Sequence, residues 1–311
     1  MSGAAASGNE AARATSAGAR PSGHRARMTR WLIVFGLLAP ALLLYATVYL
    51  GGMAIIGLAS FGLGPDAESG ATLANYREVF ASAHIQTVVL RTLRVSAITV
   101  IACLVLGFPV ARYITSPDAR WRSFVVMAVL SPLMVSAIGR VFGWIALFGP
   151  GSWVAAQTMH FFGTRATGLL YTEAGVVIGL TNILLPFMVL SIAASRANLD
   201  ESLLKAAASL GATPSAVFWQ VELPLNLPGI LGGVLIVFSL SITNFATAAL
   251  LGGSGRDVVA YEIYSNILTY HQPGTGTALA ILLLVCSVAI MMLAIWVGRR
   301  ADAMQAARVE T

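Results

Sequence analysis

Six long apolar runs without a charged side chain constrain this chain more than any other feature. A helix needs roughly 20 apolar residues to cross the hydrocarbon layer, where no backbone amide can be left without a hydrogen-bond partner. The charged residues that enclose the runs stand at 30 and 66, 94 and 112, 122 and 140, 173 and 196, 222 and 256, and 262 and 299. Only 10% of the residues are charged, too few to cover the chain in water. The sequence therefore predicts an all-α, polytopic integral membrane protein with six transmembrane helices.

The distribution of basic residues predicts the orientation. Six spans place both termini on one side of the membrane, and Lys and Arg accumulate on the cytoplasmic side. Thirteen of the 19 basic residues lie in the two tails and in the loops after spans two and four. They are Arg13, Arg20, Arg25, Arg27, Arg30, Arg112, Arg120, Arg122, Arg196, Lys205, Arg299, Arg300 and Arg308. We therefore expect cytoplasmic N and C termini.

One stretch leaves the number of spans open. Residues 141–164 are also uncharged and form a candidate seventh span. A Gly-Pro-Gly sequence at 149–151 interrupts them, and both residue types disfavour a continuous helix. An odd number of spans would also place Arg299 and Arg300 outside. We therefore interpret this stretch as the end of span three, followed by a segment on the outer surface.

The ends of the chain differ in composition from the spans. Residues 1–30 are rich in Ala, Gly, Ser and Arg and cannot bury enough apolar surface to fold, so we expect a disordered cytoplasmic tail. The apolar run from Trp31 past Tyr49 is longer than the apolar core of a cleavable signal peptide and is predicted to remain as the first span. A transmembrane domain over 31–300 and a cytoplasmic tail over 301–311 complete the predicted organisation.

Several other functions require residues that the sequence lacks. A P-loop needs a lysine followed by Ser or Thr, whereas Lys205, the only lysine, precedes Ala206. The histidines are scattered, and Cys103 and Cys286 both lie in apolar runs, so neither a metal site nor a cofactor site is predicted. The basic residues stand in short clusters rather than along one face, which argues against nucleic-acid binding. We expect that the chain is not itself an enzyme.

The loop between spans four and five begins with a well-defined helix pattern. Asp200 is a favourable N-cap, residues 206–208 are all alanine, the best helix former, and Gly211 can adopt the left-handed conformation that ends a helix. Small side chains also leave a helix surface that another protein can approach closely. The loop is therefore either a docking element or an amphipathic segment resting on the membrane.

A second short helix is predicted directly after this glycine turn. Thr213 is its expected N-cap, and Pro214 occupies the first helical position, where proline is favoured. We expect this second helix to end before Pro224, because proline cannot donate a backbone hydrogen bond.

The same loop resembles a motif of a known family. The motif reads Glu-Ala-Ala, three residues, Gly, nine residues, Ile, one residue, Leu-Pro. The residues in register with it are Ala206, Ala207, Gly211, Val221, Leu223 and Pro224. Lys205 stands where the motif has Glu, and Val221 replaces Ile. The chain is thereby similar to the permeases of binding-protein-dependent ABC importers of the type I, MetI-like class, and residues 197–226 correspond to their ATPase-coupling loop.

This resemblance implies a permease subunit that moves a small solute across the bacterial inner membrane. The implied partners are two ABC ATPase subunits, a second permease subunit, identical or different, a periplasmic solute-binding protein and the lipid bilayer. ATP hydrolysis would belong to the separate ATPase subunits. Lys205 and the motif residues would then contact them.

Two further stretches resemble the spermidine/putrescine branch of that family. They are residues 91–95 at the start of span two, and residues 245–253 followed by Ile263 and Tyr264. The likeness implies a polyamine substrate, with opines, phosphonates, thiamine and ferric iron as the alternatives offered by related branches. A gradient-driven secondary transporter should have inverted repeats and ionisable groups at the midplane, and a membrane scaffold would need no capped docking loop. Neither alternative fits the sequence as well.

Polar residues inside two spans are candidates for lining a translocation path, because polar groups are costly in hydrocarbon. They lie in spans four and five, on either side of the coupling loop. They are Thr181, Asn182, Ser239, Ser241, Thr243 and Asn244. The alternative is that they hydrogen-bond neighbouring helices and only stabilise the packing.

Residues that disturb helices are also present within the spans. Pro132, Pro186 and the pair Gly232 and Gly233 are expected to break or kink their helices. Arg140, near the outer end of span three, either meets an anionic substrate or extends to the interface, and we favour the interface.

Overall fold

The computed structural model describes residues 36, 38–63, 73–149, 151–152, 156–157, 169–253 and 258–309. The chain divides into two units, Met1–Ile56 and Gly57–Thr311. Every regular element within the described ranges is a helix, so the all-α prediction is confirmed. The predicted tail at 1–30 and most of the segment between 150 and 168 lie outside these ranges.

The first half of the described chain contains six helices. They are α1 (Leu38–Ser60), α2 (Ala74–Ala81), α3 (Ala83–Thr115), α4 (Arg122–Met134), α5 (Ala137–Phe148) and α6 (Glu173–Ala197). The second half continues with six more. They are α7 (Glu201–Ser209), α8 (Pro214–Leu225), α9 (Leu227–Ile242), α10 (Phe245–Gly252), α11 (Val259–Tyr264) and α12 (Pro273–Val309).

The predicted spans correspond to six helical units of two kinds. Helices α1, α3 and α6 and the first part of α12, Pro273–Leu293, are each long and apolar enough to cross a bilayer. The third predicted span is a bent pair, α4 with α5 at 101°, and α9 of the fifth predicted span forms a bent pair with the preceding loop helix α8 at 64°. The described residues therefore contain four continuous candidate spans, or up to six if each bent pair is one span.

Helix α6 forms the centre of the second unit. It packs against α3, α9, α10 and α4, and it buries Leu180, Leu184, Met188 and Ile192 at helical spacing. Since lipid is as apolar as these side chains, close packing rather than water exclusion favours the association of helices in a membrane. Gly229 permits it here, because a Cβ atom at this position would overlap Ser195 Cβ and lie 2.9 Å from the Ser191 carbonyl oxygen.

Only one of the expected helix breaks occurs where a helix-disturbing residue stands. Helix α4 ends at Met134, two residues after Pro132. Helix α6 continues unbroken through Pro186, and α9 continues through Gly232 and Gly233. No break therefore occurs at this glycine pair, and these glycines instead give α9 room to pack against Ser191 and Met188 of α6.

The bend next to the fifth span lies instead at Asn226, where the loop helix α8 meets α9. Its side chain is fully buried, and its Nδ2 donates to the Glu222 carbonyl oxygen at 2.7 Å. A side-chain donor therefore satisfies a carbonyl group of α8 at the point where the axis turns into α9. The sequence signal for this junction is Pro228, which lies in the first turn of α9, where its missing amide is tolerated.

Arg140 forms hydrogen bonds at the break between α4 and α5 and does not extend away from the protein. Its Nη1 donates to the carbonyl oxygen of Pro132 and, at 3.3 Å, to that of Val135. Carbonyl groups at the C-terminus of a helix have no intrahelical partner, and a cation there is favourable. Arg140 thus caps α4 from the first turn of α5.

Candidate functional site

The first half of the loop between α6 and α9 has the predicted capping. The Asp200 carboxylate accepts a hydrogen bond from the Ser202 amide at 2.8 Å, and this bond lowers the pKa of Asp200. Helix α7 ends in a glycine turn, because Gly211 has a φ of +86° and its amide donates to the Ala208 carbonyl oxygen at 3.0 Å. A left-handed glycine is a common way to end a helix.

The second half of this loop begins as predicted and ends differently. The Thr213 hydroxyl accepts a hydrogen bond from the Ala216 amide at 3.3 Å, and Pro214 is the first residue of α8. The expected end before Pro224 is wrong, because α8 continues to Leu225. A π-turn at Phe218–Glu222 precedes Pro224 and shifts the hydrogen-bond register, so the missing amide falls in the first turn of the next helical segment, where it is tolerated.

The loop exposes an apolar stripe, which we call the docking stripe and define as Leu203, Ala206, Ala207 and Leu210. These residues follow the i, i+3, i+4, i+7 spacing of one helix face. Leu203 is 48% exposed and Leu210 is 88% exposed. Trp219 on α8 is also 63% exposed. Exposed large apolar side chains in a capped, polar loop are typical of a protein-binding surface.

The remaining motif residues face inward to different degrees. Val221, Leu223 and Pro224 are half-buried, whereas Lys205 is exposed. Phe218, one turn before them, packs edge-on against Phe108 of α3 with ring centroids 5.4 Å apart. The loop therefore has an exposed half, α7, and a half that is fixed to the spans, α8.

An ion cluster around a buried glutamate connects the fixed half to two spans. We call it the inner cluster and define it as Glu222, Arg196 and Arg112. Glu222 Oε1 accepts from Arg196 Nη1 and lies 3.4 Å from Arg112 Nε. The glutamate side chain is 2% exposed. Sequence reasoning missed this site. The available signal was a single glutamate immediately before the Leu-Pro of the motif, with single arginines ending two spans.

A second ion cluster, the outer cluster, lies at the other end of α6. Glu173, the first residue of α6, lies 3.3 Å from Arg91 Nε and also pairs with Arg94, both on α3. Its three members are partly exposed, from 19% for Arg91 to 61% for Arg94. Ion pairs therefore join α3 and α6 directly at this end and through Glu222 of α8 at the other end.

The six candidate path residues do not share one environment. Ser241 is buried and donates to Ser96 on α3 at 3.1 Å, a contact between helices. Asn244 accepts from the Thr247 amide at 3.0 Å and so caps α10. Thr243 is exposed and bonds the Ser239 carbonyl oxygen of its own helix at 3.0 Å. Only the Ser241 bond therefore joins two helices, as the packing alternative requires, whereas the bonds of Asn244 and Thr243 are local.

Thr181 differs from the others because it is buried with an unsatisfied hydroxyl. Its side chain is 8% exposed, and its Oγ1 has no hydrogen-bond partner within the part of the chain that the structure describes. Asn182, the next residue, is half-buried. Whether the six residues line a path stays a prediction.

The amino-acid sequence matches one family model over most of its length. Residues 103–303 match the family described as "Binding-protein-dependent transport system inner membrane component". The chain belongs to this family. The match includes α6 to α9 and therefore both halves of the loop at residues 197–226, which we call the docking loop after the stripe that it carries.

Individual members of the permease family agree with this assignment. The spermidine/putrescine transport system permease protein PotB of Haemophilus influenzae is 33% identical over 77% of this chain and 82% of its own. PotB of Escherichia coli is 29% identical over 74% of this chain and 83% of its own. A chain of a bacterial alginate ABC transporter, solved with a periplasmic protein, has the same fold, with a TM-score of 0.73 at 17% identity over 88% of this chain and 96% of that one.

Family membership establishes the general role of this permease. It is the membrane-spanning transport subunit of an ABC importer and a multi-pass protein of the inner membrane. The family's description makes transport dependent on a separate binding protein. The docking stripe and the inner cluster are thus features of a transport subunit that acts with partners.

Proposed function

We propose that this permease moves a polyamine of the spermidine or putrescine type. The observation that carries the proposal is the 33% identity with PotB of Haemophilus influenzae across 77% of the chain. The sequence stretches at 91–95 and 245–253 support the same branch. Selectivity would reside largely in the external binding protein, which delivers the solute to the permease.

The proposed complex contains two ABC ATPase subunits, a second permease subunit and a periplasmic solute-binding protein. The ATPases dock on the loop 197–226, which is cytoplasmic together with both termini. The residues assigned to this contact are Lys205, Ala206, Ala207, Gly211, Val221, Leu223 and Pro224. The exposure of the docking stripe supports the contact, since its leucines would otherwise face water. The transmembrane domain comprises residues 31–300 and the cytoplasmic tails comprise 1–30 and 301–311.

Solute uptake in cells tests the substrate. The chain, co-expressed with the other subunits of its importer in a bacterium that lacks polyamine uptake, is expected to restore accumulation of labelled spermidine or putrescine. An importer with an inactive ATPase subunit is the matched control and should give none. Accumulation of a different solute, such as thiamine or ferric iron, in place of the polyamine would refute the proposed substrate. Uptake that persists with the inactive ATPase and stops with a protonophore would refute the ATP-driven mechanism.

Thr181→Val tests the translocation path. Valine has nearly the same shape, and the Thr181 hydroxyl has no partner in the described structure, so the fold should tolerate the change. If the hydroxyl meets the solute, we expect uptake to fall by about five-fold, the equivalent of one neutral hydrogen bond. Ser241→Ala is the control, because its hydroxyl bonds Ser96 and its loss should affect stability more than uptake. Unchanged uptake in Thr181→Val would remove this residue from the path.

A further inference from the structure

Glu222 lies where three parts of the permease meet, and its burial is unusual for a charged side chain. It ends the π-turn of α8, whereas Arg196 is in the last turn of α6 and Arg112 is in the last turn of α3. A carboxylate removed from water is stable only if charged partners and hydrogen bonds replace its hydration. The inner cluster therefore holds α8 to both spans through one carboxylate.

We propose that the inner cluster is the joint through which movement of the docking loop reaches α3 and α6. This inference rests on the proposed function, in which ATPase subunits bind the loop. Glu222 acts as a positioning residue, since it touches neither solute nor nucleotide in this scheme. Its task is to make the fixed half of the loop and the ends of two spans move as one body.

The surroundings of Glu222 support a rigid connection. Its side chain is held by two arginines, and its carbonyl oxygen accepts from the buried Asn226 side chain at 2.7 Å. The aromatic contact between Phe218 and Phe108 adds a second attachment of α8 to α3. In contrast, α7 carries the exposed docking stripe. A force applied at α7 would therefore reach α3 through α8, and it would reach α6 both through α8 and through the short connection at residues 198–200.

The degree of exposure within the inner cluster shows which pair is the main attachment. Arg196 is 12% exposed, whereas Arg112 is 56% exposed. Exposed ion pairs contribute little because water screens them, and a buried pair loses much more when one partner is removed. The connection to α6 should therefore matter more than the connection to α3.

Glu222→Gln tests the joint in the complete importer, reconstituted in liposomes with its ATPase, second permease and binding protein. The measured quantity is the amount of solute transported per ATP hydrolysed. Loss of a coupling element changes linked events by on the order of ten-fold, so we expect this ratio to fall by about that factor. An importer in which Glu222→Gln leaves the ratio unchanged would overturn the proposal.

Glu173→Gln is the matched control for this experiment. Glu173 also pairs with two arginines and also connects α6 to α3, but it lies at the opposite end of α6 from the docking loop. We expect its substitution to leave the ratio near the wild-type value. An equal fall of the ratio in both variants would assign the effect to general weakening of the α3–α6 contact and would contradict a joint at Glu222.

A covalent link in place of the ion pair tests the joint if the importer with Glu222→Gln does not assemble. Glu222→Cys with Arg196→Cys, in a chain in which Cys103 and Cys286 are alanine, can be bridged by a short bis-methanethiosulfonate linker. We expect a low ratio before linking and a restored ratio after it, because the connection to α6 is re-formed without charge. A linked importer that assembles but keeps the low ratio would refute the joint.

The wild-type chain separates the two proposals. If it binds no ATPase subunit, or if transport does not depend on ATP, the proposed function fails. If wild type couples ATP to transport and Glu222→Gln does so equally well, only the joint fails.

Discussion

Gly211→Pro is expected to abolish uptake while the chain remains inserted in the membrane. Gly211 has a φ of +86°, whereas proline is restricted to a φ near −65°. Proline also removes the amide that donates to the Ala208 carbonyl oxygen. The cost should be at least about 3 kcal/mol, enough to reduce the population of the native loop roughly 100-fold. Helices α7 and α8 would then no longer keep a fixed orientation relative to each other.

The measurement compares uptake, membrane content and co-purification of the ATPase subunit. Gly211→Asn is the matched control, since asparagine adopts the left-handed conformation more readily than other non-glycine residues. An added side chain finds open space at this position, with nothing within 4 Å of its Cβ. We therefore expect Gly211→Asn to keep most of the uptake. Wild-type uptake in Gly211→Pro would show that the glycine turn has no part in coupling.

Gly229→Val is expected to lower the stability of the helix packing strongly. A Cβ atom here overlaps Ser195 Cβ and approaches the Ser191 carbonyl oxygen to 2.9 Å. The Ser191 hydroxyl, which donates to the Gly229 carbonyl oxygen at 2.8 Å, would also be displaced. Overpacking of a close contact costs about 1–3 kcal/mol, and a branched side chain against two serines should reach the upper end. Helices α6 and α9 would have to separate.

Thermal unfolding in detergent measures this effect, and the loss of the monodisperse species on heating is the signal that is recorded. Gly143→Ala in α5 is the control, because a Cβ atom at Gly143 meets nothing within 4 Å. A lower midpoint for Gly229→Val but not for Gly143→Ala is the expected result. Equal midpoints for Gly229→Val and wild type would mean that α6 and α9 do not approach as closely as described.

Local features of the docking loop were predictable because each depends on a few neighbouring residues. Asp200 and Thr213 cap helices through bonds to amides two and three residues away. Gly211 ends α7 for a similarly local reason. In contrast, Pro224 was misjudged as a helix end, because the preceding π-turn that accommodates it is not encoded by any single residue of the loop.

The sequence by itself determined that this chain enters a membrane, that it does so as helices, and that a loop of two capped helices separates the fourth and fifth spans. Apolar run length and capping are properties of contiguous residues, so they can be derived without coordinates. Only the tertiary structure decided that Glu222 meets Arg196 and Arg112. These contacts join residues 26 to 110 positions apart, and only the packing of α3, α6 and α8 places their side chains within bonding distance.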